Sequence, residues 1–315
     1  MGAKLQCDRK VMAASDYKPL DVNHVRPGDI RIIAGMGDSY MIGTLSKNTA
    51  DDMVNVFPGN SFTTGSDEKL EKHITLANIL KEFNPFLIGA SHGAGYHNTG
   101  FNVAICRNKS EDLPRQAKEL VSRIRKKGEY LLGEWKLIII VVGTYDLARL
   151  TCQLPLVKRP TMPFQFKQNL EKALSILQQK LPRTIISIIP MWNANAFIGA
   201  RYEALNCGLT EYLKAANGLL AQAVYEIQAE QQLERNDFAI TVQGFMDRMN
   251  DAFRLRNGSL NKSMYASNYF HLSKYGNAAL AKLLWNSLFE GSCKETFYNN
   301  SIDISSLELK CPTKQ

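Results

Sequence analysis

The feature that most constrains the fold of this chain is a series of short apolar segments separated by amphipathic stretches. Four of these segments, 30–36, 136–143, 184–190 and 238–243, are rich in Ile and Val and hardly alternate with polar residues. Such a pattern is typical of parallel strands that are covered on both faces. The sequence therefore predicts a parallel sheet buried between layers of helices.

The stretches between these segments have helical periodicity. Apolar residues recur at helical spacing in 113–127, 166–181, 210–227 and 274–290. Because strands and helices alternate, we expect an α/β protein with a doubly wound sheet and crossover helices. In sheets of this kind the chemistry takes place at the carboxyl ends of the strands.

Length and composition favour one globular domain. The chain has 315 residues, of which 45% are hydrophobic and 22% charged, and we expect a single domain over 1–315 with its core at about 25–290. The longest apolar run, Leu137 to Val142, is far shorter than the roughly 20 residues of a membrane-spanning helix. The first residues, MGAKLQCDRK, lack the apolar stretch of a signal peptide.

The charge and the cysteines exclude several kinds of partner. The net charge is +8, and the densest basic stretch, 115–127, has no interleaved aromatic residues. We therefore interpret it as the solvated face of a helix and expect no nucleic-acid partner. The six cysteines form no CxxC pair, so no metal site is expected. No strand is followed by GxGxxG or GxxxxGK[ST], so we expect no nucleotide and no other cofactor.

Four Asn-x-Ser sequons and the scattered cysteines favour an oxidising, secretory environment. The sequons are at Asn108, Asn257, Asn261 and Asn299. The N-terminal sequence favours the opposite interpretation, and both compartments stay open at this point.

A serine with a candidate base stands after the predicted strands. Gly37-Asp38-Ser39 follows the first strand, where a serine on a tight turn can act as a nucleophile; the alternative is a turn that caps the next helix. A nucleophilic serine needs a base. Of the five histidines, His271 precedes the last predicted helix. The remaining four are predicted to lie in exposed loops or polar surroundings, namely His24, His73, His92 and His97.

This arrangement resembles the GDSL, or SGNH, hydrolases, and in particular their phospholipase B branch. The similar segments are 25–39, 76–89, 108–121, 135–147 and 268–286. The resemblance implies a three-layer, flavodoxin-like fold. It also implies hydrolysis of acyl esters, with phospholipids, lysophospholipids or other lipid esters as partners. Contact with a membrane surface stays open.

The resemblance assigns Ser39 as the nucleophile and His271 as the base. An acidic residue three positions before the histidine would fix the imidazole tautomer and stabilise its charge, but this chain has Asn268 there. The amide is expected to accept a hydrogen bond from the imidazole without supplying a charge.

The oxyanion positions also depart from the family pattern. The loop that carries an asparagine donor reads Gly143-Thr144-Tyr145-Asp146, and Arg107 stands where a glycine supplies a backbone N–H. The Tyr145 hydroxyl and the Arg107 charge are expected to replace part of the lost stabilisation. Asp38 and Asp146 are expected to support these loops.

Two functions therefore stay open. The first is a weakened serine esterase, because neutralising the triad acid costs on the order of 10⁴ in turnover and losing an oxyanion donor costs roughly 10² to 10³. The second is an inactive pseudo-hydrolase that binds lipid or a protein partner.

The resemblance also concerns cysteines and location. It implies a Cys7–Cys311 disulfide that joins the ends of the chain and a Cys152–Cys207 disulfide between loops. Cys106 would then be free or paired with Cys293. A secreted or membrane-associated extracellular location is implied, and a cytoplasmic one is not excluded.

Overall fold

The centre of the molecule is a four-stranded parallel sheet. The computed structural model describes residues 1–47, 55–148, 162–191, 209–247, 253–289 and 303–313. The strands are β1 (Ile30–Gly37), β2 (Trp135–Val141), β3 (Thr184–Ile188) and β4 (Phe238–Val242). They pair in the order β1-β2-β3-β4. The four predicted strands are therefore confirmed.

Helices connect these strands. They are α1 (Arg9–Met12), α2 (Leu76–Phe83), α3 (Leu113–Lys127), α4 (Thr144–Ala148), α5 (Met162–Lys180), α6 (Leu209–Glu230) and α7 (Lys274–Ser287). The helix predicted over 113–127 is present with the same bounds. The basic residues at its end are largely exposed, as expected of a solvated helix face.

Successive strand residues point into two separate cores, because side chains alternate between the faces of a strand. On one face, Ile33 and Ile139 pack with residues of α2 and α7. On the other face, Ile32, Ile138 and Ile186 pack with residues of α3, α5 and α6. The two cores give the three layers of a doubly wound α/β fold, as the sequence predicts.

A short segment lies along the free edge of β1. Ile88 and Asn102 form isolated parallel bridges with Ile32 and Gly35. With this segment counted as the second strand in chain order, the arrangement follows the 2-1-3-4-5 order of flavodoxin-like sheets. The order in which successive strands are added therefore reverses at β1, and the carboxyl ends of β1 and β2 border the crevice at this point.

Both ends of the described chain pack on the layer of α2 and α7. The Ile74 N–H donates to the Met1 carbonyl at 3.0 Å, and the Trp285 Nε1–H donates to the Lys310 carbonyl at 2.9 Å. Cys7 and Cys311 form the predicted disulfide, with 304 residues of sequence separation.

Of the other four cysteines, the structure describes one. Cys106 carries a free thiol. The predicted Cys152–Cys207 pair and Cys293 lie outside the described residues. The boundaries of a single domain stay a prediction.

Within the described ranges, no helix is long and apolar enough to cross a membrane. Three of the four sequons lie in the same ranges. Asn257 is exposed and Asn261 half-buried, whereas Asn108 is buried, so the folded chain does not present Asn108 for glycosylation. Asn299 lies outside the described residues.

Candidate active site

The turn after β1 places Ser39 at the carboxyl end of the sheet. Gly37 has φ +131°, and a Cβ atom there would stand 1.7 Å from the Val141 carbonyl oxygen, so only glycine allows this approach of β1 to β2. Asp38 then caps a short 3₁₀ helix, Ser39–Ile42, by accepting from the Tyr40 N–H at 3.1 Å. The capping and the nucleophile interpretations of this turn are therefore compatible, because Asp38 forms the cap and the Ser39 side chain does not take part in it.

Ser39 and His271 lie within hydrogen-bonding distance across 232 residues of sequence. The distance from His271 Nε2 to Ser39 Oγ is 3.0 Å, which is the geometry of a nucleophile and its base. Phe270 packs edge-on against the imidazole with ring centroids 5.0 Å apart. Tyr40 holds the same turn by donating from its hydroxyl to the Phe270 carbonyl at 2.6 Å. Both Ser39 and His271 are buried.

Asn268 contacts His271, but not in the way the sequence suggests. Its Oδ1 accepts from the backbone N–H groups of Phe270 and His271, at 3.1 and 3.0 Å. Its Nδ2 lies 2.8 Å from His271 Nδ1. The amide therefore presents a donor to the imidazole, whereas we expected it to accept a hydrogen bond.

Tyr145 lies beside Ser39 at the start of α4. Its hydroxyl lies 3.8 Å from the Cys106 thiol, and the Ser39 side chain is among the groups that act on its pKa. Burial and the neighbouring Cys106 raise the pKa of Tyr145 to about 12. The hydroxyl is therefore protonated at neutral pH and can donate a hydrogen bond to an oxygen bound at Ser39.

Two buried carboxyl groups hold the loops around these side chains. Asp38 Oδ2 accepts from the Thr144 N–H at 3.2 Å and so joins the first turn to the loop after β2. Burial raises the pKa of Asp38 to about 7. Asp146 accepts from the Ser110 N–H at 3.0 Å and from its hydroxyl at 2.6 Å, and burial raises its pKa as well. The contacts of Asp146 are those of a supporting residue.

Arg107 has the backbone of a glycine position. Its φ is +68°, in the left-handed region that glycine adopts without strain. Its side chain is exposed. The structure therefore retains the local backbone that the glycine of the family pattern would give, while the charged group extends toward solvent.

The other histidines differ in their surroundings. His24, His92 and His97 are exposed, as predicted. The prediction of an exposed His73 is wrong: it is fully buried, with Nε2 3.2 Å from the Lys274 carbonyl oxygen. Burial lowers its pKa to about 4. Polar neighbours in sequence misled the prediction, because the ring packs under the start of α7.

One supporting residue was missed in the sequence. Gln116 accepts from the Gly37 N–H at 2.7 Å and donates to the Gly37 carbonyl at 2.8 Å, so it fixes the peptide groups just before the candidate nucleophile. The sequence indicated it only as a polar residue on the buried face of a predicted amphipathic helix.

Within the described ranges, no group of three or more His, Cys, Asp or Glu residues could hold a metal ion.

The chain is similar to known proteins in sequence. The sequence profile of the family described as "GDSL-like Lipase/Acylhydrolase" matches residues 33–284. The chain is 30% identical to "Phospholipase B1, membrane-associated" of Homo sapiens, over 96% of this chain and 22% of that protein. It is 30% identical to the Mus musculus protein of the same name, over 100% of this chain and 22% of that protein. The chain thus spans about a fifth of the length of these relatives.

Among solved structures, the chain is similar to an acetyl xylan esterase from Geobacillus stearothermophilus. The TM-score is 0.45 at 15% identity, and the match covers 82% of this chain and 94% of that one.

Proposed function

This chain belongs to the GDSL-like lipase/acylhydrolase family, and on that premise we propose that it hydrolyses acyl esters of lipids, with Ser39 as the nucleophile. The observation that carries the proposal is the 3.0 Å contact between Ser39 Oγ and His271 Nε2. Phospholipids and lysophospholipids are the proposed substrates, because the relatives named phospholipase B1 match nearly the whole chain.

In the proposed reaction, Ser39 Oγ attacks the ester carbonyl carbon while its proton passes to His271 Nε2. The C–O bond to the leaving alcohol then breaks, and the same proton passes to that alcohol. Water repeats these steps on the acyl-enzyme and releases the fatty acid. The Tyr145 hydroxyl donates to the oxyanion of each tetrahedral intermediate, in place of the amide donor that the family pattern provides.

We propose that this activity is weak. Asn268 brings no negative charge to His271, so the residue at the acid position of the family pattern does not stabilise the imidazolium formed during each step. The second candidate function, an inactive lipid-binding protein, is favoured by the Asn268 amide, which directs Nδ2 at the imidazole. Ser39 also has 0% exposure, so a substrate has to displace the groups that cover it.

Hydrolysis assays separate these two functions. The natural chain and Ser39→Ala are compared on a short-chain aryl ester and on a lysophospholipid. Turnover that disappears in Ser39→Ala supports the hydrolase. Equal turnover in both chains, or none in either, contradicts it. Binding of a non-hydrolysable ether lysophospholipid by both chains without turnover would then favour the binding protein.

We further propose that the chain works in an oxidising extracytoplasmic environment, next to or on a membrane surface. The Cys7–Cys311 disulfide supports this location, and the relatives are named membrane-associated. Thiol counting by mass spectrometry on material from the native source tests it. Labelling of Cys7 and Cys311 as free thiols would contradict the proposal.

A further inference from the structure

The orientation of the Asn268 amide is fixed by the turn in which it lies. Oδ1 accepts from two backbone N–H groups, those of Phe270 and His271. An exchange of the amide oxygen and nitrogen would direct the two N–H donors at an NH₂ group, which has no acceptor capacity. The turn itself is held by Tyr269, whose φ is +53°. Nδ2 therefore faces His271 Nδ1.

This orientation determines where the imidazole carries its proton. An amide NH₂ only donates hydrogen bonds, so His271 Nδ1 has to be the unprotonated nitrogen that accepts. In a neutral imidazole the proton is then on Nε2. Because Nε2 lies 3.0 Å from Ser39 Oγ, the Nε2–H donates to the serine oxygen.

We propose that Asn268 is a positioning residue that favours the Nε2–H tautomer of His271, so that the resting histidine donates to Ser39. Only the minor Nδ1–H tautomer then has the Nε2 lone pair that takes the serine proton. The positions of these two side chains are those of a working pair, while the proton is on the wrong nitrogen. This inference deepens the proposed function, and its consequence for turnover rests on that function.

The proposal predicts that replacing the Asn268 amide nitrogen by an oxygen restores proton transfer from Ser39 to His271. In Asn268→Asp, one carboxylate oxygen keeps the two backbone N–H donors, and the other faces Nδ1 as an acceptor. The Nδ1–H tautomer is then favoured, and Nε2 gains the lone pair that accepts the Ser39 proton. The reverse change in a serine protease lowers kcat by about 10⁴. We expect Ser39-dependent kcat to rise by about 10³ to 10⁴ in Asn268→Asp.

The direct test is nitrogen NMR of the histidine side chains, which distinguishes a protonated from an unprotonated ring nitrogen. The full chain is labelled with ¹⁵N, and the His271 signals are assigned by their loss in His271→Gln. Lysophospholipid turnover is measured on the same samples. The matched control is Asn257→Asp, since the Asn257 oxygen also accepts from a backbone N–H, that of Ser259 at 3.0 Å, in an exposed turn.

The expected result is Nε2–H in the natural chain and in Asn257→Asp, and Nδ1–H in Asn268→Asp. A protonated Nδ1 in the natural chain overturns the proposal, and this spectrum needs no variant other than the one used for assignment. A rise in turnover in Asn268→Asp without a change of tautomer also overturns it. The expected change of tautomer without turnover in any chain supports the tautomer and contradicts the proposed hydrolase function instead.

Discussion

The substitution Tyr145→Phe tests whether the hydroxyl beside Ser39 stabilises the oxyanion. The change removes the hydroxyl next to the Ser39 side chain and keeps the half-buried ring in place. Loss of one oxyanion donor lowers kcat by about 10² to 10³, or roughly 2.7–4 kcal/mol of transition-state stabilisation. We expect a loss in this range, because Tyr145 stands at the position where the family pattern has its side-chain amide donor.

The raised pKa of Tyr145 makes a second, independent prediction. With a pKa of about 12, only about 10⁻³ of the hydroxyl is ionised at pH 9. The donor is therefore present throughout the range of pH 6–9. Between these limits, the ratio of kcat in the natural tyrosine chain to kcat in Tyr145→Phe should stay constant.

The assay measures kcat and KM for a lysophospholipid in the Asn268→Asp background, where we expect turnover to exceed spontaneous hydrolysis clearly. The matched control is Tyr130→Phe, which removes a hydroxyl from a tyrosine that is 67% exposed. A loss of less than about threefold in kcat would refute the reasoning, as would a loss confined to KM. Either result would place Tyr145 among the packing residues of the cleft.

Three further predictions concern other parts of the molecule. Replacing both Cys7 and Cys311 by Ser should lower the free energy of unfolding by about 3–6 kcal/mol, because the disulfide closes a loop of 304 residues; a loss below about 1 kcal/mol in urea titrations would contradict this. Alkylation of the Cys106 thiol by a bulky reagent should block Ser39-dependent turnover, since the thiol lies 3.8 Å from the Tyr145 hydroxyl, and Cys106→Ser should protect against it. The buried Lys136 ammonium donates to three backbone carbonyls, while burial lowers its pKa to about 7. Between pH 7 and about 10 the unfolded chain therefore binds the Lys136 proton more strongly than the folded chain does, so the free energy of unfolding should rise with pH. Thermal melts over this pH range should show a smaller rise of the melting temperature with pH in Lys136→Met than in the natural chain. An equal rise in both chains would contradict the prediction.

Most of the fold follows from the sequence, because the buried faces of strands and helices produce a periodic pattern of apolar residues. The strand at 136–143 is apolar on both faces, and its alternate residues fill both cores. The helix over 113–127 shows its buried face by the same logic. The edge segment at Ile88 has no such apolar pattern, since it forms only isolated bridges and depends on contacts with β1.

The candidate site was predictable to the level of residue type and no further. Ser39 and His271 were candidates because of their places after a strand and before a helix, and the resemblance to the GDSL hydrolases assigned their roles. The orientation of the Asn268 amide depends on which backbone N–H groups the turn presents, and Tyr269 sets that turn with a positive φ. The contact between Cys106 and Tyr145 joins loops that are 39 residues apart, and no local pattern indicates it.

The central claim is that Ser39 and His271 form a hydrolytic pair and that Asn268 lowers its turnover. The most direct test is lysophospholipid hydrolysis by Asn268→Asp with and without Ser39→Ala, next to the natural chain. We predict a rise of about 10³ to 10⁴ in turnover for Asn268→Asp and the complete loss of that rise in the double variant. Turnover in Asn268→Asp no higher than in the natural chain, or a rise that persists without Ser39, would contradict the claim.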